Sequence, residues 1–165
     1  MKTLVVYDSL HGNTEIIAQA IGETLSGEVE VLHVGDAEPS GLGSYDLLVV
    51  GAPTHGFRPS QPMRDFLKRI AKGSLQGIKV AAFDTRLTEQ EINNVGILAI
   101  FVRIFGYAAN PISNGLQKKG GELILPPEGF YVDGMEGPLL DGELERATDW
   151  GKHILSIQSS APSNN

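Results

Sequence analysis

The sequence predicts an α/β protein, a single doubly wound sheet of five parallel strands with helices on both faces. Three observations carry that prediction. Thr3 to Tyr7 and Leu47 to Ala52 are valine-rich and continuously apolar, the pattern of strands covered on both sides. Stretches of helical period separate such runs, so strand and helix alternate along the chain, which calls for parallel pairing through right-handed crossovers. With 165 residues, 41% hydrophobic and 20% charged, the chain suits one core and leaves little for a second.

The first strand is Thr3 to Tyr7. Ile16, Ile17, Ala20, Ile21 and Leu25 then mark one face of a helix, and Val29 to Val34 reads as the second strand. Leu47 to Ala52 is the third strand, and Met63, Phe66, Leu67 and Ile70 fall at i, i+3, i+4, i+7 on the next helix. Ile78 to Phe83 is the fourth strand. Thr88 and Glu91 form a capping box for a helix that turns apolar on nearly every side from Ile97 to Phe105, either packed over the sheet or forming a homodimer or partner contact. Asn110-Pro111 reads as an N-cap and first-turn proline opening a helix to about Lys119. The fifth strand is split between Leu123 to Leu125 and Phe130 to Val132, because Pro126-Pro127 forbids a continuous central ladder and places it at an edge. The last helix starts near Asp141 and buries Leu144, Ala147, Ile154 and Leu155. Residues 1–157 make the domain, and 158–165 read as a disordered polar tail.

Composition excludes several chemistries. There is no cysteine, hence no disulfide, thiolate nucleophile or iron–sulfur cluster, and redox work needs a bound cofactor. His11, His33, His55 and His153 are not spaced as metal ligands, and no carboxylate motif for hydrolysis is present. A net charge of −7 disfavours nucleic acid as a partner. The N-terminal apolar run is too short for a signal peptide or a membrane span, which points to the cytoplasm.

After the first strand comes Ser9-Leu10-His11-Gly12-Asn13-Thr14, a small polar loop turning into a helix. A helix N-terminus offers unpaired N–H groups and a partial positive charge, so such a loop can wrap a phosphate with main-chain donors. The alternative is that Gly12, Asn13 and Thr14 merely turn the chain and cap a helix. An NTP-binding loop would place Gly-Lys-Ser/Thr where Gly12-Asn13-Thr14 stands, and the three-glycine dinucleotide fingerprint is missing.

Ser9 to Thr14 resembles the phosphate loop of the flavodoxin family, of the form Ser/Thr-x-Thr-Gly-x-Thr, and departs from it at His11. The resemblance covers nearly the whole chain and implies flavin mononucleotide (FMN) as cofactor, in a flavodoxin-like sheet of order 2-1-3-4-5 with the flavin at the switch point. It further implies that Pro53-Thr54-His55-Gly56-Phe57 is the first ring loop, with main-chain groups near the redox edge and His55 or Phe57 against a ring face. Asp84-Thr85-Arg86 would be the second, beside the pyrimidine. No aromatic stands between Asp84 and Asn94 to complete a sandwich around the ring, and Tyr107 is the nearest later candidate. Arg86 either raises the flavin potential as a nearby cation or is a solvated or salt-bridged side chain. Trp150 is expected along the terminal helix rather than on a flavin.

Three functions follow. The first is an electron carrier serving redox partner proteins. The second is an FMN-dependent oxidoreductase acting on a small ring substrate such as a quinone. The third is a regulatory module that kept the fold and lost tight flavin binding.

Overall fold

The computed structural model describes residues 1–55, 58–94, 96 and 107–159. Strand β1 (Lys2–Tyr7) leads into helix α1 (Asn13–Thr24), and β2 (Glu28–His33) follows. Next come β3 (Leu47–His55), the two-residue β4 (Arg58–Pro59), α2 (Gln61–Arg69) and β5 (Lys79–Leu87). The chain continues through α3 (Glu89–Asn93), α4 (Ala109–Lys118), β6 (Glu122–Leu123), β7 (Glu128–Val132) and α5 (Glu143–Ser159).

The sheet order is β2-β1-β3-β5, with β6 and β7 both pairing parallel on the outer side of β5. This is the expected 2-1-3-4-5 order with its fifth strand divided, as the paired prolines required. Leu4, Val6, Leu48, Val50, Val80 and Ala82 belong to one buried cluster, together with Met63 and Phe66 of α2 and Ile112 and Leu116 of α4. Val5, Tyr7, Val49, Ala81 and Phe83 belong to the other, with Ile17 and Ile21 of α1 and Ile154 of α5. Adjacent residues of one strand thus feed opposite cores, and that is why these strands are apolar without alternation. Trp150 lies in the second cluster, edge-on to Phe83 and Phe130.

Several boundaries move. β3 runs to His55, where a loop was expected from Pro53, because Thr54 and His55 pair antiparallel with Pro59 and Arg58. β5 runs to Leu87, so Asp84, Thr85 and Arg86 lie on a strand, held by pairing of residues 83–87 with β7. Asn110 is not a cap: α4 begins one residue earlier, and its first N–H groups are met from the sheet. Leu144 is 47% exposed while Glu143 is buried, its carboxylate taking the Tyr131 N–H at 2.8 Å and Arg146 at 2.6 Å. Gln158 and Ser159 continue α5, and the rest of the expected tail lies outside the described residues, as do Gly56, Phe57 and Ile97 to Phe105. Among the described residues no helix is long and apolar enough to cross a membrane.

Candidate functional site

A crevice opens where β1, β3, β5 and β7 end, at the point where the winding of the sheet reverses. Its inner wall is made by Leu10, His11, Asn13 and Thr14 on one side and Pro53, Thr54, Thr85 and Arg86 on the other. Val132 and Met135 close the third side.

At the first wall the chain leaves β1 and reverses through Gly12, at φ +87, before the first helical bond runs from the Ile16 N–H to the Gly12 carbonyl at 3.1 Å. A left-handed residue here costs a side chain about 1–2 kcal/mol, so glycine is the natural occupant. The Ser9 hydroxyl oxygen accepts the Gly12 N–H at 3.0 Å and, more weakly, the Glu15 N–H at 3.4 Å. The N–H groups of Leu10, His11, Asn13 and Thr14 have no acceptor among the described residues. They stand at the positive end of a 12-residue helix, and the cradle carries no lysine.

Two side chains of the loop are engaged elsewhere. Asn13 donates Nδ2–H to the Glu136 carbonyl at 3.0 Å, tying the loop to residues 133–138. Thr14 is buried and its hydroxyl meets that of Thr85 at 2.8 Å. A pair of hydroxyls shares only one proton in their mutual bond, which leaves the other free to donate into the crevice. His11 is exposed on the rim.

The second wall is built differently. Asp84 is fully buried and does not line the crevice; it takes Arg86 in a bidentate pair, Nε to Oδ1 at 2.5 Å and Nη2 to Oδ2 at 2.9 Å. The Ala109 N–H also donates to Asp84 Oδ2 at 2.8 Å, and the Ala108 N–H donates to the Thr54 hydroxyl at 3.0 Å. The start of α4 is therefore capped by residues of β3 and β5, which supply what no side chain near Asn110 does. Burial pushes the Asp84 carboxyl above its ordinary range, opposed by Arg86, the Ala109 N–H and Thr54 in that order.

Arg86 Cζ lies over the Tyr107 ring, 3.7 Å from its centroid, and a Cβ at Gly129 would collide with the guanidinium. The arginine is thus salt-bridged and stacked, and its charge faces a carboxylate. Tyr107 serves as platform for the arginine.

The third wall escaped sequence reasoning. The excursion 133–138 is closed by the Asp133 N–H to the Pro138 carbonyl at 2.8 Å. Asn13 pins it on one side, and Glu91 pins it on the other by accepting the Gly134 N–H at 2.9 Å. The same Glu91 completes the capping box with Thr88, and the Thr88 N–H, Gly134 N–H and Thr88 hydroxyl together hold its carboxyl below the usual range. Met135, at the centre of that excursion, is 76% exposed, and Leu10 across the crevice is 65% exposed. These are two of the five large exposed hydrophobics among the described residues, and both lie on the rim. Leu10 belongs to the Ser9 to Thr14 loop already singled out, whereas Met135 lies in no motif; its usable signal was an apolar side chain in a polar glycine-rich turn.

The enclosed part of the crevice is about 90 Å³, below the roughly 300–1,000 Å³ of a site that swallows a whole ligand. It fits a phosphate ester held at the floor with a planar group lying across the mouth. Among the described residues no group of His, Asp or Glu is disposed to hold a metal ion. Fold and site together define a doubly wound α/β protein with open main-chain donors at the crevice of its switch point.

Comparison with known proteins sharpens that class. The flavodoxin domain family matches residues 4–121. A flavodoxin of Maridesulfovibrio salexigens is 27% identical over 160 residues, spanning 93% of this chain and 96% of its own. The probable flavodoxin 1 of Bacillus subtilis is 34% identical over 86 residues, a match that spans about half of each chain, 50% and 54%. Oxidised flavodoxin 1 from Bacillus cereus superposes with a TM-score of 0.75 at 22% identity, over 98% of this chain and 100% of that one. The chain belongs to the flavodoxin family, proteins that bind FMN and transfer electrons to redox partners.

Proposed function

We propose that this protein carries electrons between partner proteins on an FMN whose phosphate rests on the N–H groups of Leu10, His11, Asn13 and Thr14. When bound, FMN supplies the redox chemistry. The observation that carries this reading is the set of unpartnered donors around the left-handed Gly12 at the start of α1. Ser9 and the Thr14–Thr85 pair add hydroxyl donors. Pro53 and Thr54, which line the crevice, border the ring. Arg86 faces its pyrimidine side with Asp84 offsetting the charge, and Leu10 and Met135 supply apolar contact where the sequence lacks an aromatic sandwich. Contact of a thioether with an aromatic ring is itself favourable. A cytoplasmic location suits such a carrier.

Titration of flavin-free protein with FMN and with riboflavin tests the reading. FMN is expected to bind at least about a hundredfold more tightly, since charge-assisted bonds to the phosphate each contribute about 1.5–3 kcal/mol. Equal affinities would remove the phosphate cradle from the account. Steady turnover of NAD(P)H with a quinone by the purified holoprotein would replace the carrier by an oxidoreductase.

A further inference from the structure

A second concave site lies on the opposite face of the sheet from α1 and α5, between α2 and α4. It is an open groove of about 430 Å³ with an apolar floor formed by Leu67, Pro59 and Pro111. Arg58, Arg64, Lys68, Lys118 and Lys119 surround it, and no Asp or Glu lines it. These are five of the 13 lysines and arginines in a chain of net charge −7, gathered on one edge. Among the described residues, only Lys68 has a carboxylate within ion-pair distance, Asp65 at 3.6 Å, with both side chains more than half exposed. Arg64 spends one N–H on the Pro59 carbonyl at 3.2 Å and another on Gln61, and Lys119 donates to the Ile70 carbonyl at 2.5 Å. These bonds hold Arg64 and Lys119 in place without a carboxylate, and Asp65 offsets only part of the charge of Lys68 and Arg64.

An apolar floor inside an only partly compensated cationic rim selects an occupant that is anionic and carries an aliphatic anchor. The geometry points to an acidic, leucine-bearing segment of a partner protein as that occupant. The positive rim would steer it against the field of the rest of the chain, and the floor would take its side chain. One end of the groove is β4, which pairs with Thr54 and His55 of β3, and Thr54 also lines the crevice. A partner seated here therefore lies beside the crevice mouth. The inference stands on the groove alone and does not require a flavin.

The test uses the full chain as purified and a short fluorescein-labelled peptide of glutamates around two central leucines. Two control peptides replace the leucines by glycine or the glutamates by lysine. Anisotropy is expected to show binding of the first peptide only, weakening as salt is raised. The double variant Lys68→Glu, Lys118→Glu should weaken it about tenfold or more, as reversal of interfacial charges does. Gly115→Glu is a second variant that keeps the fold, because a Cβ there meets Leu67 at an ordinary 3.6 Å and glutamate favours a helix over glycine. It should abolish binding, with amide shifts in the parent protein confined to residues 58–68 and 111–119. Equal binding of the lysine peptide, indifference to both variants, or shifts elsewhere would overturn the proposal. So would occupation of the groove by sodium dodecanoate or by a second copy of the chain with no binding of the peptide.

Discussion

The two inner walls of the crevice solve opposite problems. At Leu10, His11, Asn13 and Thr14 the chain leaves main-chain donors without partners among the described residues, open to whatever enters the crevice. At Asp84 to Arg86 the charged groups have their partners inside the protein: a buried carboxylate holds an arginine and caps α4, and the arginine lies over the Tyr107 ring. One wall is a row of open backbone donors, and the other is a finished piece of scaffold whose ion pair is closed on itself. The difference teaches that charge near a ligand and charge available to a ligand are separate quantities.

The sharpest break of that comparison is Asp84→Ala. It leaves Arg86 unpaired in a mostly buried site and uncaps α4, and removing one partner of a buried pair costs about 3–5 kcal/mol. Urea unfolding of the flavin-free protein checks it. If Asp84 were a ligand-facing group instead, stability would barely change and only flavin affinity would fall.

Gly12→Val probes the other wall. The left-handed backbone at φ +87 makes a β-branched residue cost about 1–3 kcal/mol, and any relaxation turns the N–H groups away from the phosphate. FMN affinity is expected to fall by more than riboflavin affinity, which a paired titration measures. Ser9→Ala is the milder version, releasing the Gly12 N–H at a cost of about 1 kcal/mol.

The ion pair can be unbalanced in both directions. Asp84→Asn leaves a cation by the crevice and should raise the potential of the bound flavin; Arg86→Gln removes the cation that opposes burial of Asp84, drives that carboxyl toward its neutral form, and should lower the potential by less. Spectroelectrochemistry reads both shifts. Equal shifts of one sign would show that the pair does not act through charge.

The smallest effect is at the third wall. The Glu91 carboxyl is held below its ordinary value of 4.5, so its contribution is present above that value and lost as pH falls through the depressed one. Acidification should therefore loosen the Thr88 cap and the Gly134 attachment, with faster exchange of the Gly134 amide. Glu91→Gln should reduce the pH dependence.

Much of this was legible in the chain. Valine-rich runs marked the strands, the 88–91 capping box was real, and Pro126-Pro127 divided the edge strand because proline cannot donate to a ladder. The glycine turn before α1 was visible because φ, capping and helix start are local properties. Asn110 was misread as a cap because a hydroxyl and a carboxylate from other strands already serve α4. Met135 escaped notice because its position depends on Asn13 and Glu91, both distant in sequence.

Local chemistry by itself thus determined the alternation of elements, their two-sided burial and the glycine turn before α1, since periodicity, proline and glycine act over a few residues. Tertiary structure alone decided that Arg86 is neutralised, that α4 is capped from the sheet and that Met135 overhangs the crevice. Those outcomes depend on which strand ends become neighbours, and pairing Ala52 with Asp84 and Arg86 with Tyr131 is a property of the folded sheet.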